Sequence, residues 1–163
     1  KMKKEYDKFW NSERIRKLKR VNLSKNEVIT LASIVASETN KIDEADRIAG
    51  VYINRLRKKM LLQADPTLIF AANDFSIRRV LNKHKKIKSP YNTYMNKGLP
   101  PGPIRLSPKK YIDAVLNFED HRYIYFCAKD DFSGYHEFAI TLSEHNKNAR
   151  KFQRALNKRK IYK

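Results

Sequence analysis

The chain has 163 residues, of which 41% are apolar, and this length and content favour one packed domain over a disordered tail. Its formal net charge of +19 at pH 7 predicts a polyanionic neighbour, namely nucleic acid, anionic lipid or an acidic wall polymer. A single cysteine, Cys127, excludes an intrachain disulfide, and no apolar run reaches the roughly 18 residues that a membrane-spanning helix needs.

Apolar spacing and turn-forming residues predict an α+β fold, a helix-rich single domain with a small antiparallel sheet. Ser24 with Glu27, and Thr141 with Glu144, have the spacing of capping boxes and mark the starts of two helices. In chain order the predicted elements are a helical arm over 5–20, a helix over 28–38, a helix over 43–56, a partly extended segment over 60–70, a helix over 108–117, strands over 122–128 and 135–139, and a final helix to about residue 156.

Basic residues are concentrated at both ends of the chain. Residues 1–20 contain nine Lys and Arg against three acidic residues, and residues 147–163 contain eight against none. Such charge runs are usually solvated helical faces. We therefore predict a basic helical arm over 1–22 that leads in from a missing N-terminal region, a main domain over 23–157 and a basic tail over 158–163.

A loop rich in proline and glycine is predicted over residues 89–104, which read SPYNTYMNKGLPPGPI. It holds two of the four glycines and four of the six prolines, so it is stiff and irregular. Its residues Tyr91, Asn92 and Tyr94 combine flat apolar faces with hydrogen-bonding tips, which suits sugar rings and their amide substituents. Two alternatives are a surface loop without a ligand and a polyproline ligand for another protein.

Glu38 is the first candidate for catalysis. It follows Leu31 by seven residues and Ile34 by four, so a continuing helix puts it on their apolar stripe. Desolvation there raises the pKa of a Glu carboxyl, and a Glu that stays protonated near neutral pH can act as a general acid. The alternative is a helix-terminal Glu that forms an ion pair with Arg47 or Arg55.

Asp65 and His136 are two further candidates for a site. Asp65 precedes Pro66, a pair that commonly starts a turn, so a capping role competes with a catalytic one. Strand alternation puts His136 on one face with Phe138, where a histidine is more often a hydrogen-bonded core residue. Cys127 lies in an apolar run and is predicted to be a small buried core residue. The four His and one Cys match no metal-binding spacing, so neither a metal nor another cofactor is predicted.

Eight segments, in order, resemble the YceG-like endolytic murein transglycosylases, the MltG family. The resemblance covers roughly residues 9–157, and eight motifs in the same order make it highly specific. The segments are LASIVASET (31–39), AGVYINRL (49–56), LQADPT (62–67), SPYNTY (89–94), GLPPGPI (98–104), YFCAK (125–129), HEF (136–138) and LSEHN (142–146).

The resemblance implies a lytic transglycosylase catalytic domain over 23–157 that needs no cofactor. Members of the family cleave peptidoglycan glycan strands between N-acetylmuramic acid and N-acetylglucosamine, leave a 1,6-anhydromuramic end and terminate nascent strands. Their catalytic glutamate matches Glu38, whereas an earlier Glu of the same motif is replaced here by Ala36. The residues expected to line the substrate cleft are Asn54, Gln63, Asp65, Tyr91, Asn92, Tyr94, His136 and Asn146.

In the implied mechanism, Glu38 donates its proton to the glycosidic oxygen. Its carboxylate then takes the proton of the muramic C6 hydroxyl, which attacks C1 and closes the anhydro ring. Because this nucleophile belongs to the substrate, one carboxylate can suffice where an ordinary glycosidase needs two.

The family also implies partners and a location. We expect contact with peptidoglycan glycan strands and with cell-wall synthases, and no specific nucleic acid. A missing N-terminal anchor would hold the full-length protein at the outer face of the cytoplasmic membrane, and the present chain would be a soluble fragment. Two other hypotheses stay open: a catalytically inactive peptidoglycan-binding module, because of Ala36, and a basic nucleic-acid-binding domain, which would explain the charge but not the motif order.

Overall fold

The computed structural model describes residues 2–159, with Met2 described by its backbone only. In this part of the chain the α+β prediction is confirmed, with seven α-helices, two short 3₁₀ turns and one two-stranded antiparallel sheet. The helices are α1 (Met2–Phe9), α2 (Ser12–Val21), α3 (Lys25–Glu38), α4 (Ala45–Arg57), α5 (Asp65–Ala72), α6 (Lys109–Leu116) and α7 (Leu142–Lys158), and the strands are β1 (Tyr125–Ala128) and β2 (His136–Ala139).

Helix α3 is the centre of the core. The predicted capping box forms, since the Ser24 N–H donates to Glu27 Oε2 at 2.8 Å and the Glu27 N–H donates to Ser24 Oγ at 3.2 Å. From Val28 to Ala36 every side chain except that of Ile29 is buried, so the helix is covered on nearly all sides. Helices α4 and α6 pack against it. Each fully buried Leu, Ile or Val of this helix contributes about 1.5–3 kcal/mol of stability.

The N-terminal helices pack on this core. The single predicted arm over 5–20 is two helices, because Asn11 accepts a hydrogen bond from the Arg14 N–H and starts α2 anew. Trp10 is 5% exposed and belongs to the core. The Arg14 guanidinium forms an ion pair with Asp113 of α6 at 2.8 Å. The division into an arm, a main domain and a tail stays a prediction, and residues 160–163 of the predicted tail lie outside the described residues.

Helix α5 corrects the prediction of a partly extended segment over 60–70. It begins at Asp65 and has Pro66 in its first turn. Proline is tolerated there because its missing N–H would have no partner within the helix, and its fixed φ angle suits the first turn. The segment before α5 is irregular, and Gln63 within it has a left-handed φ of 51°.

Helix α4 lies unusually close to the segment that leads into β1. A Cβ atom at Gly50 would lie 2.5 Å from the Glu119 carbonyl oxygen and 2.6 Å from His121 Nε2, so only glycine fits. Beyond it, the Arg55 guanidinium donates to the Ile124 carbonyl at 2.6 Å. Because side chains of α4 bond the carbonyls of His121, Tyr123 and Ile124, β1 begins at Tyr125 and not at residue 122 as predicted.

The β-hairpin and α7 complete the fold. Strands β1 and β2 pair antiparallel, with Tyr125 opposite Ala139 and Ala128 opposite His136. A second capping box, formed by Thr141 and Glu144, starts α7, which packs across both strands. Among residues 2–159, none of the helices has the length and apolar content to cross a membrane.

Candidate active site

A cavity of about 540 Å³ opens where the C-terminal end of α3 meets α4, β1 and α7. It is more polar than the core beneath it, since two carboxyl groups, one guanidinium and two imidazoles converge on it together with several aromatic rings. Its lining residues are Glu38, Tyr52, Arg55, Leu62, Gln63, Asp65, Tyr94, Tyr125, Phe126, Cys127, Ala128, His136, Leu142, His145, Asn146 and Phe152. The six predicted site residues among them are Glu38, Gln63, Asp65, Tyr94, His136 and Asn146.

Glu38 is the last residue of α3, so its carboxyl emerges from the core directly into the cavity. The hydroxyl of buried Tyr52 donates a hydrogen bond of 2.5 Å to Glu38 Oε1. Desolvation raises the pKa of Glu38 to about 7, the bond from Tyr52 opposes this rise, and the negative charge of Asp65 adds to it. Burial and the adjacent Glu38 also raise the pKa of Tyr52, so its hydroxyl remains a donor.

The alternative of an ion pair between Glu38 and a nearby arginine is wrong. The Arg47 guanidinium forms an ion pair with Glu119 at 2.8 Å. Arg55 is 7% exposed and donates to the carbonyls of Ile124 and Leu61 at 2.6 and 2.9 Å. Both cations are therefore engaged elsewhere, and Glu38 has a tyrosine as its hydrogen-bond partner.

Asp65 faces the cavity and does not cap α5. The cap position of that helix is Ala64, without a side-chain bond, and Asp65 Oδ1 instead accepts a 2.5 Å hydrogen bond from the Tyr94 hydroxyl. Desolvation and Asp65 together raise the pKa of Tyr94 well above its usual range. A second carboxylate with its own tyrosine donor thus lies in the same cavity as Glu38.

Thr93 fixes the distance between the loop that carries Tyr94 and the segment that carries Asp65. Its hydroxyl accepts from the Ala64 N–H at 3.0 Å and lies 2.8 Å from the Thr67 hydroxyl. Its carbonyl accepts from the Gln63 N–H at 3.1 Å. Thr93 is 1% exposed, so these bonds are shielded from water and hold the two segments together.

His136 is oriented by a buried carboxylate. Its Nδ1 lies 2.6 Å from Glu44 Oε1, and its backbone N–H donates to Glu44 Oε2 at 3.2 Å. The Thr39 hydroxyl donates to the same Oε1 at 3.0 Å. Glu44 is 4% exposed, and these three donors stabilise its charge in the protein interior. With Nδ1 engaged, Nε2 is the ring nitrogen of His136 left for a ligand in the cavity.

Three predicted cleft residues lie outside the lining of this cavity. Asn92 is fully buried, and its amide donates to the carbonyls of Lys85 and Ile87, so it shapes the loop from inside. The Tyr91 ring packs on Phe70 with a centroid distance of 4.7 Å.

Asn54, the third of these residues, faces away from the cavity. Its amide donates to the carbonyls of His121 and Tyr123 at 2.8 and 3.0 Å, and it anchors the segment before β1. The sequence could not separate these anchoring amides from cleft amides, because both kinds of residue lie in the same motifs.

Helix α7 and β1 supply lining residues that the sequence analysis did not predict for the cleft. His145 stacks on Tyr125 at a centroid distance of 5.1 Å, and desolvation lowers the pKa of its imidazole, helped by Arg55. Cys127 is half-buried and lines the cavity, which corrects its prediction as a buried core residue; burial raises the pKa of its thiol. Within residues 2–159 no cluster of three or more His, Cys, Asp and Glu side chains is arranged to hold a metal ion.

Comparison with known proteins gives one consistent result. A family model described as the YceG-like family matches residues 1–151. The chain is 40% identical over 142 residues to an endolytic murein transglycosylase of Bacillus subtilis, a match that covers 87% of this chain and 39% of the relative. It is 33% identical over 135 residues to an endolytic murein transglycosylase of Streptococcus pneumoniae, over 80% of this chain and 24% of that relative.

A solved structure supports the same likeness. The crystal structure of a yceG-like protein from Listeria monocytogenes superimposes with a TM-score of 0.76 at 38% identity, over 83% of this chain and 44% of the other. The present chain thus spans about two fifths or less of the length of the curated relatives that it matches.

Proposed function

The chain belongs to the YceG-like family, and from that premise we propose that it is the catalytic part of a peptidoglycan lytic transglycosylase of the cell envelope. The observation that carries the proposal is Glu38, a carboxyl with a pKa of about 7 at the inner end of an open cavity. A carboxyl with this pKa is protonated in a useful fraction of molecules near neutral pH, as a general acid must be.

Glu38 donates its proton to the glycosidic oxygen as the bond from that oxygen to the muramic C1 breaks. The carboxylate that remains accepts the proton of the muramic C6 hydroxyl, whose oxygen forms a new bond to C1. The products are a free hydroxyl on the leaving sugar and a 1,6-anhydromuramic end. Tyr52 holds the Glu38 carboxyl in one orientation through the 2.5 Å bond and stabilises the carboxylate between the two steps.

Substrate binding is assigned to the polar groups that surround Glu38 in the cavity. Gln63, Asp65, Tyr94, His136 and Asn146 present amides, a carboxylate, a phenol and an imidazole to it, which suits the hydroxyl and acetamido groups of amino sugars. Tyr125 and Phe126 add flat apolar faces. This mixture supports a glycan substrate better than a nucleic acid, for which a cavity containing two carboxylates is unfavourable.

The substitution at Ala36 does not count against catalysis by Glu38. Ala36 is 5% exposed and belongs to the core, whereas Glu38, two residues later on α3, lies in the cavity lining. A carboxyl group at position 36 would lie in the core and not in the cavity. This difference supports Glu38 over position 36 as the general acid.

The test is to incubate the protein with purified peptidoglycan and analyse the soluble products by mass spectrometry. Anhydro ends are one water lighter than hydrolysed ends, and we expect them from the wild type and not from Glu38→Gln. Hydrolysed ends would indicate that a water, activated by a carboxylate such as Asp65, replaces the C6 hydroxyl. Binding to peptidoglycan without any cleavage would support the inactive binding module instead.

The remaining parts of the proposal concern the full-length protein. We assign to it a place at the outer face of the cytoplasmic membrane, where cell-wall synthases extend glycan strands, and the termination of those strands as its role. The support is the family membership together with the endolytic action named for the two curated relatives.

A further inference from the structure

A second cavity, of about 430 Å³, lies between the hairpin turn and the last turns of α7. We call it the cationic cleft. Its lining residues are Asp130, Phe132, Lys151, Arg154, Ala155, Lys158 and Arg159. Lys151, Arg154 and Lys158 share one face of α7 because they are three and four residues apart.

Four cations and one acidic residue line the cationic cleft. Within residues 2–159, none of Lys151, Arg154, Lys158 and Arg159 lies within ion-pair distance of an acidic side chain. All four are exposed. With four cations against one acidic residue, and no ion pair among them in the described part of the chain, the concave walls raise the local concentration of anions, so this cleft is suited to a negatively charged ligand.

Phe132 connects the cationic cleft to the cavity of about 540 Å³ that contains Glu38, which we call the catalytic cavity. Its ring centroid lies 5.8 Å from that of Phe152, which lines the catalytic cavity. The Arg159 guanidinium lies over the Phe132 ring, 3.8 Å from its centroid. Phe132 also has a left-handed φ of 59°, a conformation that bulky residues adopt rarely. The two cavities are therefore neighbours that share a wall of two phenylalanine rings.

We propose that the cationic cleft binds the carboxylates of the peptide stem attached to the muramic residue whose glycosidic bond is cleaved. The inference rests on the proposed function, because a peptidoglycan strand in the catalytic cavity brings its stem peptides to the adjoining surface. The stem is the part of this substrate that carries negative charge beside the glycan. The charge, concavity and position of the cleft all match it, whereas a flat bilayer or a duplex would meet mainly the rim.

The test compares glycan strands that bear stem peptides with the same strands stripped by an amidase. For the wild type we expect kcat/KM to be about tenfold higher on stem-bearing strands, mainly through KM, since two or three screened charge contacts amount to about this factor. Arg154→Gln with Lys158→Gln should bring the two substrates within about twofold and leave kcat on stripped strands unchanged. Arg16→Gln with Lys19→Gln on α2 is the control, because it removes the same charge from another exposed surface.

Equal loss of activity on both substrates, or an unchanged preference in the cleft variant, would overturn the proposal. Calorimetry with a soluble, carboxylate-bearing stem peptide tests the cleft without catalysis, so it separates this inference from the proposed function if no strand is cleaved. We expect the cleft variant to lose peptide binding and to keep the wild-type melting temperature. If it keeps peptide binding and loses retention on phosphatidylglycerol vesicles or on DNA, the cleft belongs to those ligands and the proposal fails.

Discussion

The Tyr52 hydroxyl and the Glu38 carboxyl, which lie on different helices, are joined by a hydrogen bond of 2.5 Å and line the same cavity. This bond opposes the desolvation that raises the pKa of Glu38 to about 7. It thereby sets the pH above which Glu38 loses the proton that it is proposed to donate. Each partner of the bond can be altered separately.

Replacing Tyr52 by Phe removes the donor and keeps the ring. Because the bond lowers the pKa of Glu38, its loss should raise that pKa above about 7. The proposed mechanism requires protonated Glu38, so the alkaline fall of the pH–rate profile should move to higher pH. Tyr135→Phe, which removes an exposed hydroxyl bonded to Asp43, is the control and should leave the profile unchanged. A shift of the alkaline fall to lower pH would contradict this account of the bond.

Glu38→Gln keeps the size of the side chain but cannot supply a proton. The rate of strand cleavage should fall by roughly 10²–10⁴-fold, the usual contribution of general acid–base catalysis. Asp65→Asn is the matched control in the same cavity and should have a milder effect if Asp65 orients substrate. Near-normal formation of anhydro ends by Glu38→Gln would remove Glu38 as the acid and make Asp65 the next residue to test.

The same substitution should change stability in a pH-dependent way. Glu38 ionises near pH 4.5 when unfolded and near pH 7 when folded, so the folded state binds more protons between these values. Its contribution to stability is therefore lost as pH rises from about 4.5 to 7 and is constant above that. Relative to the wild type, Glu38→Gln should gain roughly 1–3 kcal/mol at pH 8 and nothing below pH 4. Urea unfolding at the two pH values measures the difference.

Asn92 and Tyr94 should respond differently to truncation, although both lie in one motif. Tyr94→Ala should lower activity and shift the melting temperature by only a few degrees, because the side chain faces the cavity. Asn92→Ala should cost about 1–3 kcal/mol of stability, since it removes a buried amide and leaves the part-buried carbonyls of Lys85 and Ile87 without these donors. Thermal unfolding with a parallel activity assay distinguishes them, and unfolding of Tyr94→Ala would show that its role is structural.

Glu44→Gln tests the carboxylate behind His136. Glutamine has one oxygen where Glu44 has two, so one of its three donors would face an amide N–H. We expect a loss of about 1–3 kcal/mol in unfolding free energy and slower strand cleavage, because a neutral amide holds the His136 ring less firmly than the carboxylate does. Asp43→Asn, an exposed neighbour bonded to the Tyr135 hydroxyl, should leave both quantities nearly unchanged. Wild-type stability in Glu44→Gln would show that the buried carboxylate is not needed.

Much of the fold followed from local sequence. The capping boxes at Ser24 and Thr141 start helices where predicted, because cap and backbone donor lie within four residues of each other. The position of Glu38 at the end of a buried helix followed from helical periodicity in the same way. The predicted irregular loop over 89–104 contains no helix or strand, as its proline and glycine content requires.

The partners in the site were decided by tertiary structure alone. Tyr52 bonds Glu38 only because α4 packs beside α3, and Glu44 meets His136 across 92 residues of chain. Asn92 and Tyr94 point to opposite sides of one loop, inward to backbone carbonyls and outward to Asp65. Composition and spacing describe neighbours along the chain, whereas desolvation, hydrogen-bond partners and pKa values depend on neighbours in space. The sequence could therefore place Glu38 at the end of a buried helix, and the packing of α3 against α4 determines its hydrogen-bond partner and its pKa.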